Sequence, residues 1–382
     1  MSAFATLSDT TSPVKVILVG AGGMGKHWIR VITESADAEL VGIVDLNTDA
    51  AAAALDAAGL TGIPVGTSAA ALAAETGAQA VINVTVPVAH HPVNVEALFA
   101  GLPVLCEKPA APTVAQAMSL AASAEASGQL LMISQSRRYF NTLASFKKQV
   151  ASLGDIGVVT TEFYKAAHFP GFREEMAHVL LVDMAIHAFD VSRYLLGQDP
   201  VAVYCEEFNP SWSWYQGDAA TVAVFELSGG TRYVFNGSWV SGGLETSWNG
   251  SWRASGVNGT SRWDGDNTPT LELEDGAEAV IAGSVPGDAP EEIAGSLAEF
   301  ISALRTGVVP SAEIHDNVFS LAMVEAAVTS ADSKQRVSID DVLDAAYRDA
   351  VAAERREDVV AVLASWSSPR AALARVPALG NA

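Results

Sequence analysis

Cationic side chains are scarce in this 382-residue chain: 22 Lys and Arg stand against 44 Asp and Glu, a formal net charge of −22. That balance repels phosphate backbones and anionic lipid surfaces, so neither nucleic acid nor a membrane is expected as a partner. Cysteine is scarcer still. Cys106 and Cys205 alone build no disulfide framework, which fits a reducing compartment. No apolar run is long enough to cross a bilayer, and residues 1–13 lack the basic and apolar regions of a signal peptide. A cytoplasmic globular protein is expected, with no metal at its site.

What is present is ample apolar material, 49% of the chain, in a length that suits two or three domains. From Val14 to Ile133, short β-branched runs such as Val14–Val19, Leu40–Val44 and Ala80–Val84 alternate with helical periodicity. That alternation predicts right-handed βαβ units and a doubly wound parallel sheet over 14–136, behind a mobile arm at 1–13. A strand near Gly157–Tyr164 and a helix from about His178 to Leu196 open a second region. Between Val201 and Leu273 the strand-like segments leave no room for crossover helices, so an α+β domain with a largely antiparallel sheet is expected over 137–338. Two helices, about Glu291–Leu304 and His315–Ala331, close it, and residues 339–382 read as a helical extension whose last dozen residues are loose.

The first strand runs directly into Gly20-Ala21-Gly22-Gly23-Met24-Gly25, and a helix follows. Glycine-rich turns are common, but this context is the one dinucleotide binding demands. The first glycine permits the tight turn, the second admits a pyrophosphate to the backbone, and the third lets helix pack on strand. Asp45, at the end of the second strand, suits the adenosine ribose hydroxyls. No Lys or Arg occurs between Arg30 and Lys108 to neutralise a 2′-phosphate, which favours NAD over NADP.

Three further motifs give the chain a resemblance to the Gfo/Idh/MocA oxidoreductases (glucose–fructose oxidoreductase, inositol dehydrogenase, rhizopine catabolism). Thr85-Val86-Pro87-Val88-Ala89-His90-His91 is similar to the family's Thr-Pro-Asn-x-x-His loop, with Val88 in place of the asparagine; alignment on Pro87 selects His91. Glu107-Lys108-Pro109 resembles its Glu-Lys-Pro motif, and Asp183-Met184-Ala185-Ile186-His187 its Asp-x-x-x-His motif. The resemblance implies hydride transfer between NAD and a secondary hydroxyl or ketone of a sugar, inositol or related polyol. In it His187 is the general base, Asp183 orients the imidazole and Lys108 stabilises developing alkoxide charge. Thr85, Pro87, His91, Glu107 and Lys108 join Gly20, Gly22, Gly23, Met24, Gly25 and Asp45 on the cofactor side. A homodimer or homotetramer through the open face of the second sheet is also implied.

The residues alone leave more open. Lys108 between Glu107 and Pro109 also fits an ordinary surface turn. Asp183 and His187 share a helix face whether or not they do chemistry, and Asp190 stands ready to join them. Gln135, Arg138 and Tyr139, after the sixth strand, and Lys165 and His168, before the long helix, are candidates for the substrate side; a solvated loop fits His168–Arg173 equally. Six of eight tryptophans fall in the antiparallel region, where core or interface packing is favoured over sugar stacking. Two competing functions remain, an NAD-binding regulator without turnover and a glycosidase that oxidises its sugar transiently.

Overall fold

The structure, a computed structural model, describes residues 3–276, 281 and 285–374. Two compact units divide them, the first formed by residues 3–136, 290–318 and 343–374 and the second by the described part of 137–289 with 319–342. No described helix is long and apolar enough to cross a membrane.

The first unit is built on β1 (Val14–Val19), α1 (Gly23–Glu34), β2 (Ala38–Val44), α2 (Thr48–Ala57), β3 (Val65–Gly66), α3 (Ala69–Thr76), β4 (Ala80–Asn83), α4 (Pro87–Phe99), β5 (Val104–Glu107), α5 (Val114–Ser127) and β6 (Leu131–Ser134). The strands pair in parallel in the order β3-β2-β1-β4-β5-β6. Every residue of β4 and β6 is buried, as strands covered by helices on both faces must be. The order reverses between β1 and β4, and ligands of such sheets bind beyond the strand ends at that switch point.

The second unit contains α6 (Asn141–Ser152), β7 (Ile156–Tyr164), the single-turn α7 (Phe172–Glu175), a π-helical turn at Leu180–Ala185, α8 (Ile186–Leu196), β8 (Pro200–Phe208), β9 (Ala220–Leu227), β10 (Arg232–Ser238), β11 (Ser251–Gly256), β12 (Gly259–Trp263) and β13 (Thr270–Leu273). These strands and β14 (Val337–Ser338) form one sheet in the order β13-β12-β11-β7-β10-β9-β8-β14, antiparallel except where β10 meets β7. Phe189 of α8 packs its ring on Phe225, Tyr233 and Phe235, so one face of the sheet carries the core. The other face alternates outward and leaves Val201, Tyr204, Phe208, Val222 and Val224 exposed. Asn258-Gly259 turns the β11–β12 hairpin, whereas Asn236-Gly237 falls inside β10.

The remaining helices are α9 (Glu292–Thr306), α10 (Ile314–Ser333), α11 (Ile339–Ala353), α12 (Glu357–Ser365) and α13 (Pro369–Leu373). They move the expected boundaries. α9 buries Leu297, Phe300, Ile301 and Leu304 and packs against α1 and β6, so it belongs to the first unit and not to the sheet domain. Residues 343–374 are likewise part of the first unit, because α12 lies along α5. The expected mobile arm is anchored: Phe4 is buried, Ala5 N–H donates to Gly128 O (2.9 Å) and Leu7 N–H to Leu304 O (2.9 Å). Burying one phenylalanine is worth about 1.5–3 kcal/mol, enough to order a short segment. The expected looseness of the terminus falls mainly on residues 375–382, which lie outside the described residues.

Arg138, expected on the substrate side, is instead a structural residue. Its guanidinium forks onto Asp190, Nε to Oδ2 at 2.7 Å and Nη2 to Oδ1 at 2.6 Å, with both side chains buried. Ser320 Oγ–H donates to the same Oδ1 (2.7 Å), and Arg193 reaches both Ser320 and Asp199. The pair ties the segment after β6 to α8 and α10. Removing one partner strands a buried charge, so Asp190→Ala should lower the unfolding free energy by about 3–5 kcal/mol in urea titration. A loss below about 1 kcal/mol would contradict this role.

Candidate functional site

In the first unit, the glycine turn forms a cradle at the switch point. Gly20 has φ +105°, and a Cβ there would meet the carbonyl oxygen of Val84 at 2.9 Å. A Cβ on Gly25 would lie 2.2 Å from Gly20 O. Gly22 and Gly23 differ: a Cβ on either meets nothing within 4 Å. Their smallness therefore leaves open space above the backbone. The first turn of α1 has no side-chain cap and no acidic residue, so its N–H groups face that space. Met24 is exposed beside them.

Asp45 does more than its position at the end of β2 suggested. Its Oδ2 accepts Ala21 N–H and its Oδ1 accepts Asn47 N–H, both at 2.8 Å. The carboxylate thus clamps the turn while each oxygen keeps a lone pair for a ligand hydroxyl.

After β4 the loop is organised by Asn83, which sequence reasoning passed over. A polar residue ending a wholly buried strand was the available signal. Its Oδ1 accepts Thr85 Oγ1–H (2.8 Å) and N–H (3.2 Å), while Nδ2 donates to Asn94 Oδ1 (2.8 Å). Pro87 and Val88, in the first turn of α4, are exposed. Of the two adjacent histidines, His90 is the one that reaches the Lys108 loop. His90 Nδ1 lies 2.7 Å from Pro109 O, and Nε2 lies 3.1 Å from Thr85 O. His91, one residue along the helix and turned some 100° away, directs Nε2 to Ser119 Oγ (3.0 Å) on α5. Burial lowers the pKa of His90 and the charge of Lys108 lowers it further, although both carbonyl contacts oppose them.

Glu107 ends β5 half-buried. Its Oε1 accepts the Trp28 indole N–H (2.9 Å) and its Oε2 the N–H of Lys108 (3.3 Å). Burial raises its carboxyl pKa, with Trp28 and Lys108 opposing. Lys108 is half-buried and precedes a cis Pro109. At the end of β6, Gln135 is 1% exposed, and neither polar atom of its amide finds a partner among the described residues. Buried amides are normally paired, so this one is available to a bound polar group. The open space over Gly22 and Gly23, the uncapped helix end and the Gln135 amide together fit a dinucleotide.

In the second unit, Asp183 lies within the π turn and His187 at the start of α8, buried. Such wide turns are rare and concentrate at functional sites. Asp183 Oδ2 accepts Arg173 Nε–H at 2.8 Å, and the guanidinium lies over the rings of Phe169 and Phe172. His187 lines a small cavity with Arg137, Met184, Trp248, Asn249 and Trp252. Lys165 pairs with Glu245 (3.2 Å) and lies 5.1 Å from the Trp248 ring. His168 stacks on Trp214 (3.7 Å, 15°), Phe169 packs on Trp239 and Trp248, and Tyr215 O–H donates to Ala167 O. Aromatic contacts thus hold part of His168–Arg173, while His168, Pro170, Gly171 and Phe172 remain exposed to solvent. Tyr139 is half-buried at the end of a 3-10 turn, Ser136–Tyr139. Trp239, Trp252 and Trp263 are core residues, while Trp212 is 68% exposed.

Known proteins match this arrangement. Residues 14–135 match the family model described as an oxidoreductase family with an NAD-binding Rossmann fold, and residues 147–262 match the GFO/IDH/MocA C-terminal domain. Inositol 2-dehydrogenase 4 of Saccharopolyspora erythraea is 31% identical over 194 residues, half of this chain and 56% of that relative, so the chain spans little more than half its length. D-apiose dehydrogenase of Paraburkholderia graminis is 25% identical over 353 residues, 87% and 92% of the two chains. Among solved structures, an oxidoreductase from Agrobacterium radiobacter in complex with NAD+, L-tartaric acid and magnesium superposes with TM-score 0.78 at 20% identity, covering 86% of this chain and 99% of that one. With both domains matched in order along its length, this chain belongs to the Gfo/Idh/MocA oxidoreductase family.

Proposed function

We propose that this protein is an NAD-dependent oxidoreductase acting on a secondary hydroxyl or ketone of a sugar, inositol or related polyol. The observation that carries the reading is the cradle: open space over Gly22 and Gly23 at an uncapped helix end, with Lys108 emerging from β5 of the same sheet. Gly22, Gly23 and Met24 offer N–H groups to the pyrophosphate, and Asp45 offers its remaining lone pairs to the adenosine ribose. Thr85, Pro87 and Glu107 line the same strand ends. Bound NAD+ supplies the hydride acceptor. Lys108 holds the reacting oxygen by a hydrogen bond from Nζ and favours its anionic form. His187 takes the proton from that hydroxyl, an imidazole being suited to exchange protons near neutral pH. Asp183, held by Arg173, orients the ring. Lys165, His168 and Tyr139 are the side chains available to the substrate's other hydroxyls.

Lys108→Ala and His187→Ala should each lower kcat/KM by about 10²-fold or more on a polyol substrate, while NADH still binds. A near-normal rate in Lys108→Ala would remove it from the mechanism.

Asp45 sets the cofactor. A 2′-phosphate beside its carboxylate meets like charge, so NADPH should bind roughly tenfold or more weaker than NADH in fluorescence titration. Because Asp45 also clamps Ala21, Asp45→Ala should weaken NADH as well as narrow the ratio. Equal affinity for the two cofactors in the unsubstituted protein would contradict the assignment.

The apolar open face of the second sheet suits a homodimer or homotetramer. Tyr204 and Val224 are cross-strand neighbours there, both exposed. Val224→Arg should shift the sedimentation of the protein toward monomer without unfolding it, and an unchanged oligomer would exclude this face.

A further inference from the structure

Residues after Ile339 lie beyond both family matches, yet their polar side chains engage α4 and α5, the helices on either side of the loops that would hold the cofactor. We propose that this C-terminal segment is a strap that positions the Thr85 and Lys108–Pro109 loops, with Glu354 as its positioning residue; the assignment of those loops rests on the function proposed above.

The relay runs from Glu354 through Ser119 to His91 and, by the chain itself, to His90. Glu354, just past α11, accepts Ser119 Oγ–H on Oε2 (2.7 Å), while its Oε1 accepts the N–H groups of Arg355 (2.8 Å) and Arg356 (2.9 Å). Ser119 Oγ in turn accepts Nε2–H of His91 at 3.0 Å. His91 and His90 are consecutive residues of α4, so fixing one ring fixes the rotation of the helix and the aim of the other. His90 is the ring that bridges Pro109 O and Thr85 O. Because Ser119 gives its own O–H to Glu354, its oxygen is left to accept from His91, which fixes the proton on Nε2; burial lowers the His91 pKa, against the pull of the Glu354 charge.

The same strap holds α4 at its other end, where the Arg356 guanidinium lies 3.4 Å from the centre of the Phe99 ring. It is anchored further on by Trp366, whose indole N–H donates to Glu125 Oε1 (3.0 Å) on α5, a carboxylate that also holds the buried His315 (3.0 Å). Tyr347 O–H closes the strap on itself at Leu363 O (2.8 Å). A strap serving stability alone has no need of a carboxylate here, since apolar packing holds helices together with less desolvation. Hydrogen bonds add direction: they set how α4 is rotated, and with it where two loops stand.

The test is NADH fluorescence titration of the full-length protein and its variants, with amide hydrogen exchange on the same samples. Glu354→Ala should weaken NADH by roughly 3- to 10-fold, and Ser119→Ala, which leaves the strap itself untouched, should do the same. Glu354→Gln keeps an oxygen acceptor for Ser119 and should restore affinity to within about twofold. The His91→Ala/Glu354→Ala double variant should bind no worse than the weaker single one, as links of one chain do. Exchange should quicken at residues 84–91 and 107–111. Lys108→Ala, measured alongside, separates the two readings: its turnover reports the catalytic role, whereas the relay is read from binding alone. Unchanged NADH affinity in both Glu354→Ala and Ser119→Ala, additive losses in the double variant, or faster exchange confined to 339–366 would each overturn the proposal.

Discussion

No side chain fits between Gly20 and the carbonyl of Val84, and the first unit is organised around that exclusion. The close approach joins the end of β1 to the end of β4, across the point where the strand order reverses. Gly25 repeats it one helical turn later, pressing α1 onto the turn. The two intervening glycines are then left with space that nothing in the described chain fills. Asp45 locks the arrangement from the second strand through the Ala21 N–H. A bulky residue at Gly20 or Gly25 would part the strands; one at Gly22 or Gly23 would fill only the space meant for a ligand.

Around this cradle, buried polar residues aim the loops. Asn83 ties Thr85 to α4, His90 ties Thr85 to Pro109, and Glu107 ties Lys108 to Trp28. Most of these contacts are local in sequence and fix the loops from within, while Trp28 to Glu107 spans 79 residues; they are made where little water enters and geometry therefore matters most. The second unit uses the same device on its own motif. Asp183 sits in a widened turn and is gripped by Arg173, which in turn rests on two phenylalanine rings.

The division between what was legible and what was not follows from this. Strands such as Val14–Val19 and Ala80–Asn83, and the glycine turn between them, announce themselves through local pattern, so the sheet and the cradle were readable. Thr85, Glu107, Lys108, Asp183 and His187 are proposed as site residues through motif resemblance, which local pattern alone does not supply. Which histidine serves the Lys108 loop was not readable, because His90 and His91 are chemically identical and only the roll of α4 separates them. Arg138 looked available because its partner, Asp190, stands 52 residues away. The amphipathic pattern of α9 revealed an apolar face but not the unit that covers it. Phe4 in an otherwise polar arm was the one cue that the arm is anchored, and it is a single residue.

Hydride transfer between a sugar or polyol and NAD is the reaction proposed for these residues. It is tested most directly by incubating the protein and NAD+ with carbon-deuterated inositols and sugars and examining the cofactor by mass spectrometry and NMR. Reduced cofactor carrying one deuterium at the nicotinamide ring is expected, formed with an equivalent of ketone and about 10²-fold or more slower in Lys108→Ala. Tight binding of NADH with no label transferred in either direction, from any member of the panel, would contradict it.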